Sequence, residues 1–223
     1  MQFDFRDADL REATLVRGDF TNSDFTNARI NGLVLGDFTL AFSQLACTSD
    51  YRQRGLRIAV LPCGPYAKGF LGRCDFSGIN LHGSYFAWLP ADAIFTDARI
   101  NRCAIRGLTK EQLCSTASYK EGNISGLRLM NADLSGCDFS GMNLSDCCFE
   151  QCRLAGAKFD DAVITGVRFL GGKSDPAFVL TFEQLKSTWN WKHGRMAGIA
   201  LYGFPETARA LPEHVRQQMR IGP

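Results

Sequence analysis

A five-residue repeat of large nonpolar side chains constrains the fold of this chain more than any other feature. From residue 5 to residue 40, and again from 129 to 169, a large nonpolar residue stands at every fifth position, and a small residue stands two positions before most of them. Neither a helix, with about 3.6 residues per turn, nor a strand, with its two-residue alternation, produces such a period. The pattern predicts stacked coils that bury a core together. The core positions predicted in its two longest runs are Phe5, Leu10, Leu15, Phe20, Phe25, Leu134, Phe139, Leu144, Phe149, Leu154 and Phe159.

The five-residue units resemble those of the pentapeptide-repeat family, whose consensus is A(D/N)LXX. Examples are ADLRE at 8–12, SDFTN at 23–27, ADLSG at 132–136 and AKFDD at 157–161. The resemblance implies an all-β solenoid, a right-handed quadrilateral parallel β-helix with one unit per side and four sides per coil. It also implies that the central residue of each unit and the small residue two positions earlier point inward.

The order of segments predicts one solenoid domain over residues 1–223. The repeats are expected in three runs, at about 3–40, 74–107 and 127–170. A longer repeat interrupts them, since LTKEQLCSTASYKEGNISGLRL aligns without a gap with LTFEQLKSTWNWKHGRMAGIAL and more weakly with LAFSQLACTSDYRQRGLRIAVL. We interpret each copy as a short helix that leaves the solenoid, at about 40–55, 108–122 and 180–194. A C-terminal helix is predicted at about 211–220, where it caps the solenoid or meets a partner.

The polar residues of these inserts are typical of helix ends. Thr109 and Thr181 fit N-cap positions, and a glutamine three residues later, Gln112 or Gln184, completes a capping box. The alternative is a catalytic or ligand site, which we disfavour because repeated copies of one site are unusual in an enzyme. The cluster Trp189, Trp191 and His193 is the most site-like part, and we interpret it as an aromatic plug at one end of the core.

Composition excludes several classes of protein. A net charge of +2 and 45% hydrophobic residues argue against disorder and against a strongly basic nucleic-acid binder. The sequence has no apolar run of about 18 residues and no signal-peptide pattern, so we expect no membrane insertion. None of the nine cysteines forms a CxxC motif, and none of the three histidines completes a zinc pattern. We therefore assign no catalytic, cofactor-binding or metal residue and predict a reduced, cytoplasmic chain, with secretion into a host cell left open.

Residues twenty positions apart should lie on adjacent coils of one face. Four opposite-charge pairs are then expected: Asp9 with Arg29, Arg17 with Asp37, Asp133 with Arg153, and Asp138 with Lys158. Asp4 and Asp24 should repel each other mildly. Residues 51–74 carry bases and no acid, which makes this segment the candidate partner-binding site. Its bases are Arg52, Arg54, Arg57, Lys68 and Arg73.

The predicted function is a non-enzymatic protein-interaction scaffold of bacterial origin, whose partner is a protein of unknown identity. The resemblance implies two alternatives, because some members bind DNA gyrase as mimics of duplex DNA and others are β-helical substrate-recognition domains of secreted effectors with the catalytic region elsewhere. A DNA mimic needs a strongly acidic face, which a net charge of +2 disfavours, and nucleic acid is a disfavoured partner. The repeat begins within five residues of Met1, so we expect another chain to cover that end, a homodimer through a solenoid end included, or a chain cut from a longer protein.

Overall fold

The computed structural model describes residues 2–61, 69–71, 73–87, 89–171 and 180–222. The chain divides into two compact units, Met1–Ile105 with Ser115–Ala117 and Arg106–Cys114 with Ser118–Pro223. Each unit is a stack of coils joined by parallel ladders. A single domain over residues 1–223 stays a prediction.

The first unit contains short strands whose partners lie one coil away. Thr14 pairs with Val34 and Leu15 with Leu35, a shift of twenty residues. The long second strand turns a corner, because its first part pairs with one strand and its last part, from Thr39, pairs with another. The strands are β1 (Thr14–Asp19), β2 (Leu33–Ala41), β3 (Ile58–Val60), β4 (Gly69–Leu71), β5 (Tyr85–Phe86) and β6 (Ala104–Arg106), of which the first two residues of β6 belong to this unit. They pair in the order β1-β2-β3-β5-β6, with β4 on β2.

The second unit repeats the same architecture. Its strands are β7 (Arg128–Met130), β8 (Cys148–Glu150), β9 (Arg168–Leu170), β10 (Ala200–Tyr202) and β11 (Arg220–Gly222), paired in parallel in chain order. Isolated parallel bridges tie other sides of the coils, among them Asn123 with Asn143 and Asn143 with Val163. These parallel ladders in both units confirm the predicted all-β solenoid.

The repeat places its large residues in the interior. Phe139 stacks on Phe159 with ring centroids 5.3 Å apart, and Phe149 stacks on Phe169 at 5.4 Å. Among the predicted core positions, those buried are Phe20, Phe25, Leu134, Phe139, Leu144, Phe149, Leu154 and Phe159. The exceptions are half-buried, because they lie in the first coil, where a neighbouring coil packs on one side only: Phe5, Leu10 and Leu15.

Each insert folds as two short helices rather than the one predicted. Thr48 and Thr188 are extended at the break, and their hydroxyl oxygens accept from the amides of Tyr51 and Trp191, so each threonine caps the second helix. The helix pairs are α1 (Phe42–Ala46) with α2 (Ser49–Arg52), α3 (Lys110–Ser115) with α4 (Ala117–Lys120), and α5 (Phe182–Ser187) with α6 (Trp189–Lys192).

The C-terminal helix is shorter than predicted. In place of one helix over about 211–220, the chain forms α7 (Pro205–Ala210), α8 (Glu213–Arg216) and then β11. The reason is ladder pairing, since the Arg220 amide donates to the Ile199 carbonyl at 2.9 Å and satisfies the backbone as a further rung. Three apolar side chains of this segment are nevertheless buried: Leu211, Val215 and Met219. Within the described part of the chain, no helix has the length and apolar character needed to cross a membrane.

Candidate functional site

In the first and third inserts a glutamine side chain holds the helix pair to a coil. The Gln184 side-chain amide donates to the carbonyls of Leu154 and Ala157, both at 2.8 Å. In the first copy, Gln44 donates to the carbonyls of Phe20, at 2.8 Å, and Ser23. These glutamines therefore hold structure rather than present a free amide.

Capping boxes are present in the second and third copies. The Gln112 amide donates to the Thr109 hydroxyl at 3.2 Å, and the Thr109 amide donates to the Gln112 side-chain oxygen at 3.0 Å. Thr181 and Gln184 form the same two bonds, at 3.1 and 2.7 Å. In the first copy Ala41 supplies no side-chain cap, so that helix lacks one of the two bonds.

A buried polar position in the second helix of each insert did not stand out in the sequence. Asp50 accepts from the amides of Ile30 and Asn31 and from the Asn31 side chain at 2.8 Å. Asn190 accepts from the Ile164 amide at 2.7 Å. The signal was available, because Asp50, Ser118 and Asn190 occupy one aligned column and are all polar and buried.

The aromatic residues at one aligned position of the three inserts, Tyr51, Tyr119 and Trp191, also have a structural role. The Tyr51 hydroxyl donates to the Asp75 carbonyl, and the Tyr119 hydroxyl donates to the Asp138 carbonyl at 2.5 Å. In the third copy Trp191 packs edge-on against Phe182 with ring centroids 5.3 Å apart.

The cluster read as an aromatic plug forms an exposed stack on its insert. His193 is exposed and stacks on the half-buried Trp189 at a centroid distance of 4.3 Å, and its Nδ1 lies 2.8 Å from the Trp189 carbonyl oxygen. Arg195 covers the Trp189 ring at 5.4 Å.

The first insert differs from the other two at its C-terminus. All three inserts end with the paired backbone hydrogen bonds of a Schellman motif, in which the Gly55 amide donates to the Asp50 carbonyl at 3.1 Å and the Arg54 amide to the Tyr51 carbonyl at 3.0 Å. The left-handed residue of this motif is Gly122 (φ +70°) or Gly194 (φ +65°) in the other copies, whereas the first copy uses Arg54 at φ +61°. An arginine therefore stands where glycine is the favoured residue.

Arg52 and Arg54 line one open cleft of about 510 Å³ on the first unit. The Arg52 Nη1 donates to the Asn27 side-chain oxygen, and the Arg54 Nη1 donates to the Ser77 carbonyl, both at 2.9 Å. Both arginines are exposed, and neither forms an ion pair with any residue that the structure describes. The remaining lining residues are Ala46, Tyr51, Asp75 and Ser77.

The floor of this cleft carries one carboxylate. The Asp75 side chain accepts from the Ser77 amide at 2.9 Å. Hydrogen bonds from Ser77 lower the pKa of Asp75 below its usual range, and the nearby charges of Arg73 and Arg54 lower it further. Burial raises the pKa of the Tyr51 hydroxyl. At neutral pH the cleft therefore holds two exposed arginines beside an ionised aspartate.

The structure separates the other predicted binding residues. Arg57 forms an ion pair with Glu12, and its amide donates to the Asn31 side-chain oxygen at 2.8 Å. Arg73 is exposed and acts electrostatically on Asp75. Lys68 lies outside the described residues. Of the predicted set, Arg52 and Arg54 meet in the cleft, Arg73 contributes charge near it, and Arg57 is engaged elsewhere.

Three of the expected opposite-charge pairs form ion pairs across adjacent coils. The nitrogen–oxygen distances are 3.8 Å for Arg29 with Asp9, 3.6 Å for Arg153 with Asp133 and 3.9 Å for Lys158 with Asp138. Arg17 and Asp37 stand in register within β1 and β2, and both have left-handed backbone conformations.

The expected repulsion between Asp4 and Asp24 is offset by a residue the sequence analysis did not consider. Arg6 lies 2.6 Å from Asp4 and 3.8 Å from Asp24. The hydrogen bond from Arg6 lowers the pKa of Asp4 to about 2. Both carboxylates are thus stabilised as anions.

The cysteines fill interior positions. Burial raises the pKa of five thiols to about 12: Cys74, Cys103, Cys137, Cys147 and Cys152. All eight described cysteines are free thiols. Within the described ranges, no three His, Cys, Asp or Glu side chains are grouped to hold a metal ion.

The coil geometry defines a repeat protein of the parallel β-helix class. The family model for pentapeptide repeats matches residues 4–39 and 121–151 in eight copies. Residues 4–39 and 121–151 are therefore pentapeptide repeats, and parallel strands and bridges also occur between and beyond these ranges.

Solved structures to which this chain is similar include a trypsin-treated variant of QnrB1, a plasmid-mediated fluoroquinolone resistance protein. It is 15% identical, with 99% of this chain and 88% of that chain covered and a TM-score of 0.34. Full-length QnrB1 is 13% identical, with 91% and 83% covered and a TM-score of 0.27. HetL, a pentapeptide-repeat protein involved in heterocyst differentiation regulation from the cyanobacterium Nostoc sp. Strain PCC 7120, is 16% identical, with 76% of each chain covered and a TM-score of 0.25. No curated protein matches the sequence.

Proposed function

We propose that this chain is a non-enzymatic protein-interaction scaffold of bacterial origin, and that Arg52 and Arg54 are recognition residues for its protein partner. The observation that carries the proposal is the cleft of the first insert, where both guanidinium groups are exposed, held by one hydrogen bond each, and not paired with a described acid. Each guanidinium keeps donors available for carboxylates or backbone carbonyls of a partner.

The backbone at Arg54 supports the same conclusion. A non-glycine residue in the left-handed region costs about 1 kcal/mol. The other two inserts avoid that cost with glycine at the same position. Retaining arginine there is readily explained if its side chain serves binding.

The remaining polar residues of the inserts argue for a scaffold over a reaction centre. Gln44, Gln184, Thr109 and Thr181 are engaged in capping or in holding helices to coils, and Tyr51 and Tyr119 donate to backbone carbonyls. Each of these contacts occurs in two of the three inserts, which a structural requirement shared by the inserts explains.

Gyrase binding by DNA mimicry is the alternative that the surface charge disfavours. A mimic of duplex DNA requires a continuous acidic surface. Three acids that such a surface could use, Asp9, Asp133 and Asp138, each lie within 4 Å of a base on an adjacent coil.

The test is affinity capture from bacterial and host-cell lysates, with the wild-type chain and Arg52→Ala/Arg54→Gly as baits. We expect a partner that the wild type retains and this variant loses. Arg57→Ala/Arg209→Ala is the matched control, because it removes the same charge from two arginines that already pair with Glu12 and Glu206. A partner captured equally by all three baits would exclude the cleft as its binding site.

The identity of the captured protein separates the alternatives. Gyrase bound independently of Arg52 and Arg54 would favour DNA mimicry. A partner captured from host lysate alone would favour the recognition domain of a secreted effector.

A further inference from the structure

A row of arginines follows one face of the second unit. Strand pairing places Arg128 beside Cys148, Cys148 beside Arg168, Arg168 beside Ala200, and Ala200 beside Arg220. The three arginines therefore occupy alternate rungs of one ladder. Adjacent strands lie about 4.8 Å apart, so the arginines are spaced by about 9.6 Å.

The residues between the arginines are small and covered. Cys148 and Ala200 point to the same side as the arginines, yet each is only 2% exposed. Arginine stems on the adjacent rungs can cover such small residues while the guanidinium groups reach solvent. The guanidinium groups therefore lie above a surface formed by small, buried side chains.

These arginines are available to a ligand to different degrees. Arg168 and Arg220 are exposed and form no ion pair with the residues that the structure describes. Arg128 is bonded to Glu150, which is the only acid among the described strand residues of this unit. The face is therefore basic, most of all from β9 to β11.

An apolar row runs beside the arginines. The corresponding position of each strand carries Met130, Glu150, Leu170, Tyr202 and Gly222 in ladder order, of which Met130 is buried and Leu170 is half-buried. Tyr202 is 38% exposed and is one of three exposed large hydrophobic side chains among the residues that the structure describes. Arginine and tyrosine are among the residues enriched at protein interfaces.

We infer that this face, defined by Arg128, Arg168, Arg220, Leu170 and Tyr202, binds an acidic amphipathic α-helix of a partner protein. Residues seven apart on one face of a helix are separated by about 10 Å, which matches the arginine spacing of about 9.6 Å. An extended peptide repeats its side chains every 6 to 7 Å, roughly, and matches this spacing poorly. Glutamates seven residues apart would meet the arginines, and apolar residues on the adjoining edge of the helix would meet Leu170 and Tyr202.

This surface is independent of the cleft at Arg52 and Arg54. Its acidic partner could be a helix or a polyanion such as duplex DNA. Glu150 and the apolar row favour the helix, because a polyanion gains nothing from Leu170 and is repelled by Glu150.

The test uses a labelled synthetic helix with a glutamate at every seventh position and leucines along the adjoining edge, followed by fluorescence anisotropy. We expect Arg168→Ala/Arg220→Ala to weaken its binding about tenfold, since two exposed charge-assisted contacts are lost; tenfold corresponds to about 1.4 kcal/mol. Arg153→Ala/Lys158→Ala is the matched control: it removes the same charge from the same unit on other sides of the coils, and should change the affinity less than about twofold.

Two further arms decide the chemistry. Tyr202→Ser should weaken binding of the synthetic helix. A peptide of the same composition, with its glutamates distributed around the helix, should bind more weakly than the designed peptide. Any of three results would overturn the inference: the designed helix does not bind, the control variant loses as much affinity as the arginine variant, or duplex DNA binds more tightly than the helix. Arg52→Ala/Arg54→Gly should leave peptide binding unchanged. A negative result for the arginine row can therefore be distinguished from a negative result for the cleft.

Discussion

In several repeats an outward-pointing Asp or Asn shapes the turn that follows it. The Asp24 carboxylate accepts from the Thr26 amide at 2.9 Å, and Asp133 and Asp138 accept from Ser135 and Ser140 at 3.1 and 3.0 Å. Such local bonds compete with regular secondary structure and favour turns. The consensus acid therefore serves the corner of the coil as well as the ladder pair, which the sequence analysis did not anticipate.

Arg54 offers a test of whether a residue kept for binding reduces stability. Arg54→Gly should raise the free energy of unfolding by about 1 kcal/mol, because it relieves a left-handed arginine. For a chain of this size that corresponds to a rise of about 2 to 4 °C in Tm, measured by thermal denaturation. The same variant should lose partner binding.

The converse change is its control. Gly194 has the same conformation, and a Cβ there would meet no atom within 4 Å. Gly194→Ala should therefore lower the stability by about 1 kcal/mol through backbone conformation alone. An Arg54→Gly variant no more stable than wild type would show that position 54 carries no strain.

At the scale of the element, the coil is stabilised by rings that stack from one coil to the next. Phe149 is 2% exposed, stacks on Phe169, and meets Phe139 and Phe159 edge-on. Because a short strand such as β8 makes few backbone bonds of its own, burial of this ring is what holds the rung in place.

Phe149→Asp should destabilise the second unit by more than the 3 to 5 kcal/mol, roughly, of a phenylalanine truncation, because it also buries an unpaired charge. Denaturant unfolding measures this loss. Lys158→Ala is the surface comparison: its ion pair with Asp138 spans 3.9 Å between exposed side chains, so we expect a change within about 0.5 kcal/mol. A Phe149→Asp protein that unfolds like wild type would mean that the inward register is wrong.

At the scale of the whole molecule, the turn carboxylates make stability depend on acid. Hydrogen bonds from Arg6 and Arg11 lower the pKa of Asp4 and of Asp9 to about 2, and bonds from Ser135 and Ser140 lower those of Asp133 and Asp138. A pKa lower in the folded than in the unfolded chain contributes stability above the unfolded value, near 3.8, that is lost as pH falls toward the folded value.

We therefore expect Tm to be insensitive to pH near neutrality and to fall between about pH 4 and pH 2. Circular dichroism melts across this range test it. Asp133→Asn/Asp138→Asn keeps an oxygen acceptor at each turn, as Asn143 does for the Ser145 amide at 3.0 Å, but does not titrate. An acid transition unchanged in that variant would contradict the contribution of these two carboxylates.

Local periodicity was enough to predict much of this architecture. The five-residue period decides which side chains point inward, and the twenty-residue coil decides which residues become neighbours. The burial of the predicted core residues from Phe20 onward and the Asp133–Arg153 contact therefore follow from spacing alone. The capping pairs Thr109–Gln112 and Thr181–Gln184 are equally local, because their partners are three residues apart.

What only the tertiary structure decided depends on contacts between distant segments. Arg52 and Arg54 meet in a cleft because their insert packs beside Asp75 and Ser77, whereas Arg57 reaches across coils to Glu12. The arginine row of the second unit depends on inserted helices that change the sequence distance between rungs, so that Arg168 and Arg220 lie two rungs apart although they are 52 residues apart in sequence. The five-residue period specifies which side chains point inward and which point outward. The lengths of the insertions, and the register of the strands after them, decide which outward residues share a face.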